Sequence, residues 1–209
     1  MPVRLRSETN PRFRDHLREQ RWDDHRYYHH SVINQSLHFV SAVTFLVGYA
    51  IAWNMPWLAA LLGWGVAMTS RQAGHFFFEP KGYDEVNQAT HAYKEEIKVG
   101  YNLARKVVLM ALWALSPLLL VATPSLFGLL EPHGNWIEFL QNLGMMWLAL
   151  GLGGLLFRTV QLFFIRDVET GLVWAAKIIT DPFNDFRLYR HAPAQLAKQA
   201  IAWRPAKLG

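Results

Sequence analysis

Tyr27 to Ser70 reads YYHHSVINQSLHFVSAVTFLVGYAIAWNMPWLAALLGWGVAMTS, 44 residues without a single Asp, Glu, Lys or Arg. The hydrocarbon core of a bilayer takes about 20 apolar residues per helix, so a run of this length holds two spans. It divides at Asn54-Met55-Pro56, which lies between Trp53 and Trp57. Pro suits the first turn of a helix and Trp the membrane interface, and together they read as a tight hairpin. Two more charge-free stretches, Val107 to Leu130 and Phe139 to Phe157, are each long enough for one further span. The expected fold is therefore all-α, a polytopic membrane protein whose four transmembrane helices form two hairpins. A soluble helical bundle is the competing architecture, but its helices would carry a charged face that these segments lack.

The 209 residues are 52% hydrophobic, yet they include 21 Lys and Arg, all outside the apolar segments. Residues 1–26 hold seven of these, Arg71 to Lys106 six, and Arg158 to the end eight, while the turn at Asn54 and the loop Glu131 to Glu138 hold none. Lys and Arg collect on the cytoplasmic side of a membrane, so both termini and the central loop are expected there. The net charge of +5 then reflects topology and contact with anionic headgroups, and no nucleic-acid partner is expected. The first 26 residues are polar and Arg-rich without the apolar core of a secretory leader, so insertion is expected through the spans themselves. The absence of Cys excludes disulfides and thiolate ligands, and a metal would have to be held by His, carboxylate or amide.

Residues 1–209 read as a single membrane domain. Its parts are a polar head (1–30), spans one and two (31–71), a cytoplasmic loop carrying site residues (72–106), spans three and four (107–165) and a cytoplasmic tail (166–209). Within the tail, Leu172 to Ile179 is expected to form a membrane-surface helix ending at an Asp181-Pro182 turn. Arg158 reads as a snorkelling interface charge, and Gly151, Gly153 and Gly154 as small residues that permit close helix packing. Arg outnumbers Lys and no endoplasmic-reticulum retention signal is present, which points to a bacterial inner membrane rather than the endoplasmic reticulum.

That topology places five of the nine histidines at one membrane face: His29, His30 and His38 at the entrance of span one, His75 at the exit of span two, and His91 in the loop beyond. His16, His25, His133 and His191 fall outside the group and read as solvated. On a continuous helix His30, Asn34 and His38 form one stripe, as do Arg71, His75 and Glu79. Ser31 offers a second arrangement, because a Ser N-cap starts a helix and frees the preceding residues to turn inward; either His29 or His30 can then join His38. Ionisable groups at membrane depth are costly unless they serve one another or a site, so their convergence from two spans points to a metal centre. His91 lies among Lys94, Glu95, Glu96 and Lys98, where a solvated helix face competes with a metal or supporting role. Arg71 and Lys81 are candidates for a substrate carboxylate.

The pattern Tyr28-His29-His30-x-x-x-Asn34-x-x-x-His38, followed by Gly74-His75-x-x-x-Glu79, resembles the family of the yeast 2-hydroxy-fatty-acid dioxygenase, over about Tyr27 to Glu79. The resemblance implies a multi-span enzyme that uses Fe(II) and O₂, without 2-oxoglutarate, to convert a 2-hydroxy fatty acid to the acid one carbon shorter. It implies His29, His38 and His75 as iron ligands, with Asn34 and Glu79 beside them. The residue types suit that chemistry, since a non-haem Fe(II) site needs imidazole or carboxylate ligands and open positions for O₂ and a fatty acyl substrate. A helix beginning at Ser31 favours His29 over His30 as the ligand, with His30 in a supporting position. A di-iron membrane hydroxylase or desaturase, with about eight His in boxes, and a non-catalytic haem- or lipid-binding bundle are the alternative functions.

Overall fold

The computed structural model describes residues 13–79, 82–101 and 103–202, and within them the chain is helical apart from its connections. The elements are α1 (Phe13–Tyr28), α2 (Val32–Ile51), α3 (Pro56–Leu62), a π-helical segment (Gly63–Met68), α4 (Thr69–Phe77), α5 (His91–Ile97), α6 (Leu103–Ala122), α7 (Trp136–Ile165), α8 (Val168–Tyr189) and α9 (Ala192–Ala202).

Three helices are long and apolar enough to cross a membrane: α2, the Arg105–Ala122 part of α6, and α7. The segment expected as span two is helical from Pro56 to Phe77, but the π-helical turns divide it. The hairpin before it falls where the sequence places it: α2 ends at Ile51, and Pro56 occupies the first turn of α3. α6 points Val107, Val108, Leu112, Leu115, Leu118 and Val121 outward. A strip of exposed aliphatic side chains this long suits lipid and is untenable in water.

Small and aromatic residues pack the apolar helices together. A Cβ on Gly144 of α7 would lie 2.3 Å from the Trp57 carbonyl oxygen, so glycine alone lets α3 approach so closely. One turn further on, Trp64 Nε1 donates to the Trp147 carbonyl at 2.8 Å, and Trp147 Nε1 donates to Ser116 Oγ of α6, also at 2.8 Å. These bonds satisfy indole N–H groups where water is excluded. The expected packing glycines fare differently. A Cβ on Gly151 would lie 3.3 Å from the Trp64 indole nitrogen, whereas one on Gly153 or Gly154 would meet open space.

Two other expectations are corrected. Arg158 does not snorkel: it is buried, and its guanidinium donates to the carbonyls of Val99 at 2.6 Å and Gly100 at 3.1 Å and to Gln161 Oε1 at 2.6 Å. These partners, two from the loop before α6 and one from α7 itself, remove any need for the charge to reach water. The tail holds no Asp181-Pro182 turn. Asp167 caps α8 through the Thr170 N–H at 2.6 Å, and the helix continues through a buried Pro182 to Tyr189, packed against α1, α2 and α7. It runs on because its inward stripe Lys177, Asp181, Asp185 and Tyr189, one residue every four, is bound on both sides by other helices.

Gly144→Leu is expected to force α3 and α7 apart and to destabilise the protein by about 1–3 kcal/mol, the usual cost of overpacking. Gly153→Leu should be close to neutral. Thermal unfolding in detergent, followed by tryptophan fluorescence, compares the two.

Candidate metal centre

The site begins with an interruption. Ser31 has extended backbone and its hydroxyl accepts the Ile33 N–H at 3.2 Å, capping α2, so residues 29 and 30 belong to neither flanking helix. Two side chains from the first turn of α2 then reach back. Asn34 Nδ2 donates to the Tyr28 carbonyl at 2.8 Å, and Gln35 Nε2 donates to the His29 carbonyl at 2.9 Å. The break so fixed turns His29 inward, where it is only 4% exposed. His30 turns outward and pairs with Asp84 at 3.5 Å.

His29 thereby meets His38 of α2 and His75 of α4. The ring centroids lie 3.9 Å apart for His29 and His38, 5.0 Å for His38 and His75, and 5.5 Å for His29 and His75. One nitrogen from each ring falls within 4.8 Å of the others, and among the described residues no further His, Asp or Glu joins this group. The close approach of α4 depends on Gly74, where a Cβ would sit 2.1 Å from Asn34 Oδ1 and 3.5 Å from His38 Cδ2. Asn34 thus holds the chain break with its amide nitrogen and abuts α4 with its oxygen.

Each ring has a neighbour on its outer side. His75 Nδ1 bonds Glu79 Oε2 at 2.7 Å, and Glu79 in turn faces Lys98 at 3.6 Å. His29 Nδ1 bonds the Tyr189 hydroxyl at 2.7 Å. His38 Nδ1 lies 3.6 Å from Asp185, too far for a hydrogen bond. On the inner side, neither His29 Nε2 nor His38 Nε2 has a hydrogen-bond partner, and the outer His38 Nδ1 has none either. A buried polar atom left unbonded costs about 1–3 kcal/mol, and one such nitrogen on each of two rings, beside His75, is an arrangement that a metal ion would satisfy. Burial, reinforced by His38, holds His29 well below the usual imidazole range, which keeps it in the neutral form that binds metals.

A network of paired charges, buried at Lys177, Asp181 and Asp185, backs the three rings. Arg71 meets Asp185 at 3.1 Å and Asp181 at 3.7 Å; Lys177 meets Asp181 at 2.8 Å and also binds Asp24; Arg21 meets Asp181 at 3.1 Å. Three bases and three acids from α1, α4 and α8 are so matched, as charges removed from water require. Burial opposes the charged form of Lys177, but Asp24 and Asp181 outweigh it and raise its pKa. Burial raises the Asp185 carboxyl against the pull of Arg71 and Lys177, and pushes the Tyr189 phenol upward so that it stays protonated.

Of the candidate residues, the structure brings His29, His38 and His75 together, with Asn34 and Glu79 against them. His30 and His91 lie outside the group, and Lys81 lies outside the described residues. Arg71 is engaged by its two aspartates. Lys94, expected on a solvated face, is wholly buried and faces Asp84 at 3.9 Å. Two histidines taken as solvated have partners, His16 at 3.1 Å from Glu169 and His25, whose Nδ1 lies 3.0 Å from the Tyr189 hydroxyl. Tyr189 and Asp185 enter the site without having been singled out from the sequence, and Gly74, quoted there only within a motif, proves to set the approach of α4. The spacing of four along α8 carried a signal for the first two, but the Asp-Pro pair read as a break.

His38→Ala or His75→Ala is expected to abolish binding of divalent metal, while His30→Gln leaves it unchanged. Tyr189→Phe should weaken binding by roughly 10–100-fold, the usual effect of removing a ligand's outer partner. Metal titration of the purified chain measures all four.

No family model, no curated protein and no solved structure matches this chain.

Proposed function

We propose that this chain is a four-span membrane enzyme, with both termini and the histidine cluster on the cytoplasmic side, which holds one Fe(II) through His29, His38 and His75. It oxidises a 2-hydroxy fatty acid to the acid one carbon shorter. The observation that carries this reading is the group of three imidazoles from separate segments, one nitrogen of each within 4.8 Å of the others, with His29 Nε2 and His38 Nε2 buried and unbonded. A single such group among the described residues favours one ion over the pair that a di-iron hydroxylase requires. Three neutral ligands also leave positions open, as oxygen-activating iron needs.

Bound there, Fe(II) would supply a Lewis-acidic anchor for the hydroxyl and carboxylate of the substrate and a place to activate O₂. The atoms balance without 2-oxoglutarate, since a 2-hydroxy acid and O₂ give the shortened acid, CO₂ and water. The protein's part is positional. With Nε2 facing the ion, His75 Nδ1–H donates to Glu79 and His29 Nδ1–H donates to Tyr189, whose own O–H is then directed to His25. These bonds set the tautomers and hold the rings. Arg71 and its aspartates keep α4 and α8 docked behind them. The apolar outer faces of the spans leave the acyl tail in lipid.

Protein purified without oxygen is expected to contain one iron per chain with no haem absorption, and to release a fatty acid one carbon shorter from 2-hydroxypalmitate when O₂ is admitted. Two irons per chain, or full iron in His38→Ala, would overturn the reading. Topology has its own test in single cysteines placed in this Cys-free chain. Cysteines at Arg14 and Glu96 should label from the cytoplasmic side, and one at Gly134 from the opposite side.

A further inference from the structure

A groove of about 520 Å³ runs between α1 and α8, a size common for small-ligand sites. Arg14, Arg18 and Arg21 form a stripe along one edge, while Leu17, Trp22 and Leu188 supply apolar wall, and no carboxylate lines it. Arg21 is fixed by Asp181 at 3.1 Å and Thr180 at 2.6 Å. Arg18 makes a 3.5 Å contact with Asp15 across an exposed pair, the kind that contributes little and yields readily to a better anion. Trp22 is 57% exposed, unusual for so large an apolar ring unless something covers it.

The groove's place in the fold selects its occupant. α1 reaches α2 across a short break and packs on α8, and α8 packs on α2 and α7, two of the helices apolar enough to cross a membrane. Arginines beside an exposed tryptophan at such a boundary match a phosphate and the first carbons behind it.

We propose that the α1/α8 groove binds the headgroup of an anionic phospholipid, Arg14 and Arg18 taking the phosphate and Trp22, Leu17 and Leu188 covering the glycerol and upper acyl carbons. A free phosphate has no use for the apolar wall, which decides for the lipid as the source. The site rests on the membrane reading and is independent of the metal.

The test uses the full chain in nanodiscs of equal parts phosphatidylcholine and phosphatidylglycerol, released into detergent, with retained lipid counted by native mass spectrometry. The wild type should retain phosphatidylglycerol in preference to phosphatidylcholine. The double variant Arg14→Gln/Arg18→Gln should lose that preference roughly tenfold, Trp22→Ala should reduce total retained lipid, and Lys198→Gln, on α9, should change nothing. A membrane-bound wild type with no preference, or a double variant and a Trp22→Ala protein that both retain phosphatidylglycerol as the wild type does, overturns this site alone. Displacement of the lipid by inorganic phosphate at equal concentration assigns the groove to a soluble anion and overturns it too. A chain recovered in the aqueous fraction overturns the membrane reading and this site together.

Discussion

The ion pair between Arg71 and Asp185, with Asp181 beside it, is the constraint from which the rest of the site follows. An always-charged guanidinium lies in the same interior as the three imidazoles, and breaking a buried pair of this kind costs about 3–5 kcal/mol. The anions that permit it stand on α8, so α8 has to be where it is. Once there, the same helix brings Tyr189 to His29 and Asp185 to the flank of His38. It also brings Lys177 to Asp24 of α1, which holds the polar head against the helices. The tail is thus part of the centre, although Asp181, Asp185 and Tyr189 lie more than a hundred residues beyond His75.

A second constraint acts at short range. The carbonyls of Tyr28 and His29 have no helical partners because the helix stops, and Asn34 and Gln35 take them up. Backbone groups that would demand water are satisfied without it, so a kink can persist inside the fold. Tyr28 adds to the hold by donating its hydroxyl to the Lys94 carbonyl at 2.7 Å.

Much of this was legible in the sequence where the physics is local. The apolar runs mark α2, α6 and α7, the Asn54-Met55-Pro56 hairpin falls in place, and Ser31 announces the cap that parts His29 from His30. The illegible parts depend on pairings far apart in the chain. Nothing near His25 marks it as the neighbour of a tyrosine 164 residues away. Arg158 looks like an interface charge until the carbonyls of Val99 and Gly100 are seen to bind it. Pro182 shows the limit from the other side. An Asp-Pro pair is a strong local stop, and here ion pairs on either side of it outweigh that preference.

The π-helical segment Gly63–Met68 separates two demands on one helix. Before it, Trp64 is tied to Trp147; after it, Arg71 and His75 must meet α8 and α2. Each wide turn holds one residue more than an α-turn, which re-aims everything downstream by about 100° relative to an unbroken α-helix. Loss of a single codon there would shorten the helix by only about 1.5 Å, a trivial change in membrane thickness, yet swing His75 out of the cluster. The segment therefore works as a vernier, which lets the tryptophan packing and the histidine site drift separately under mutation, provided its own length stays fixed.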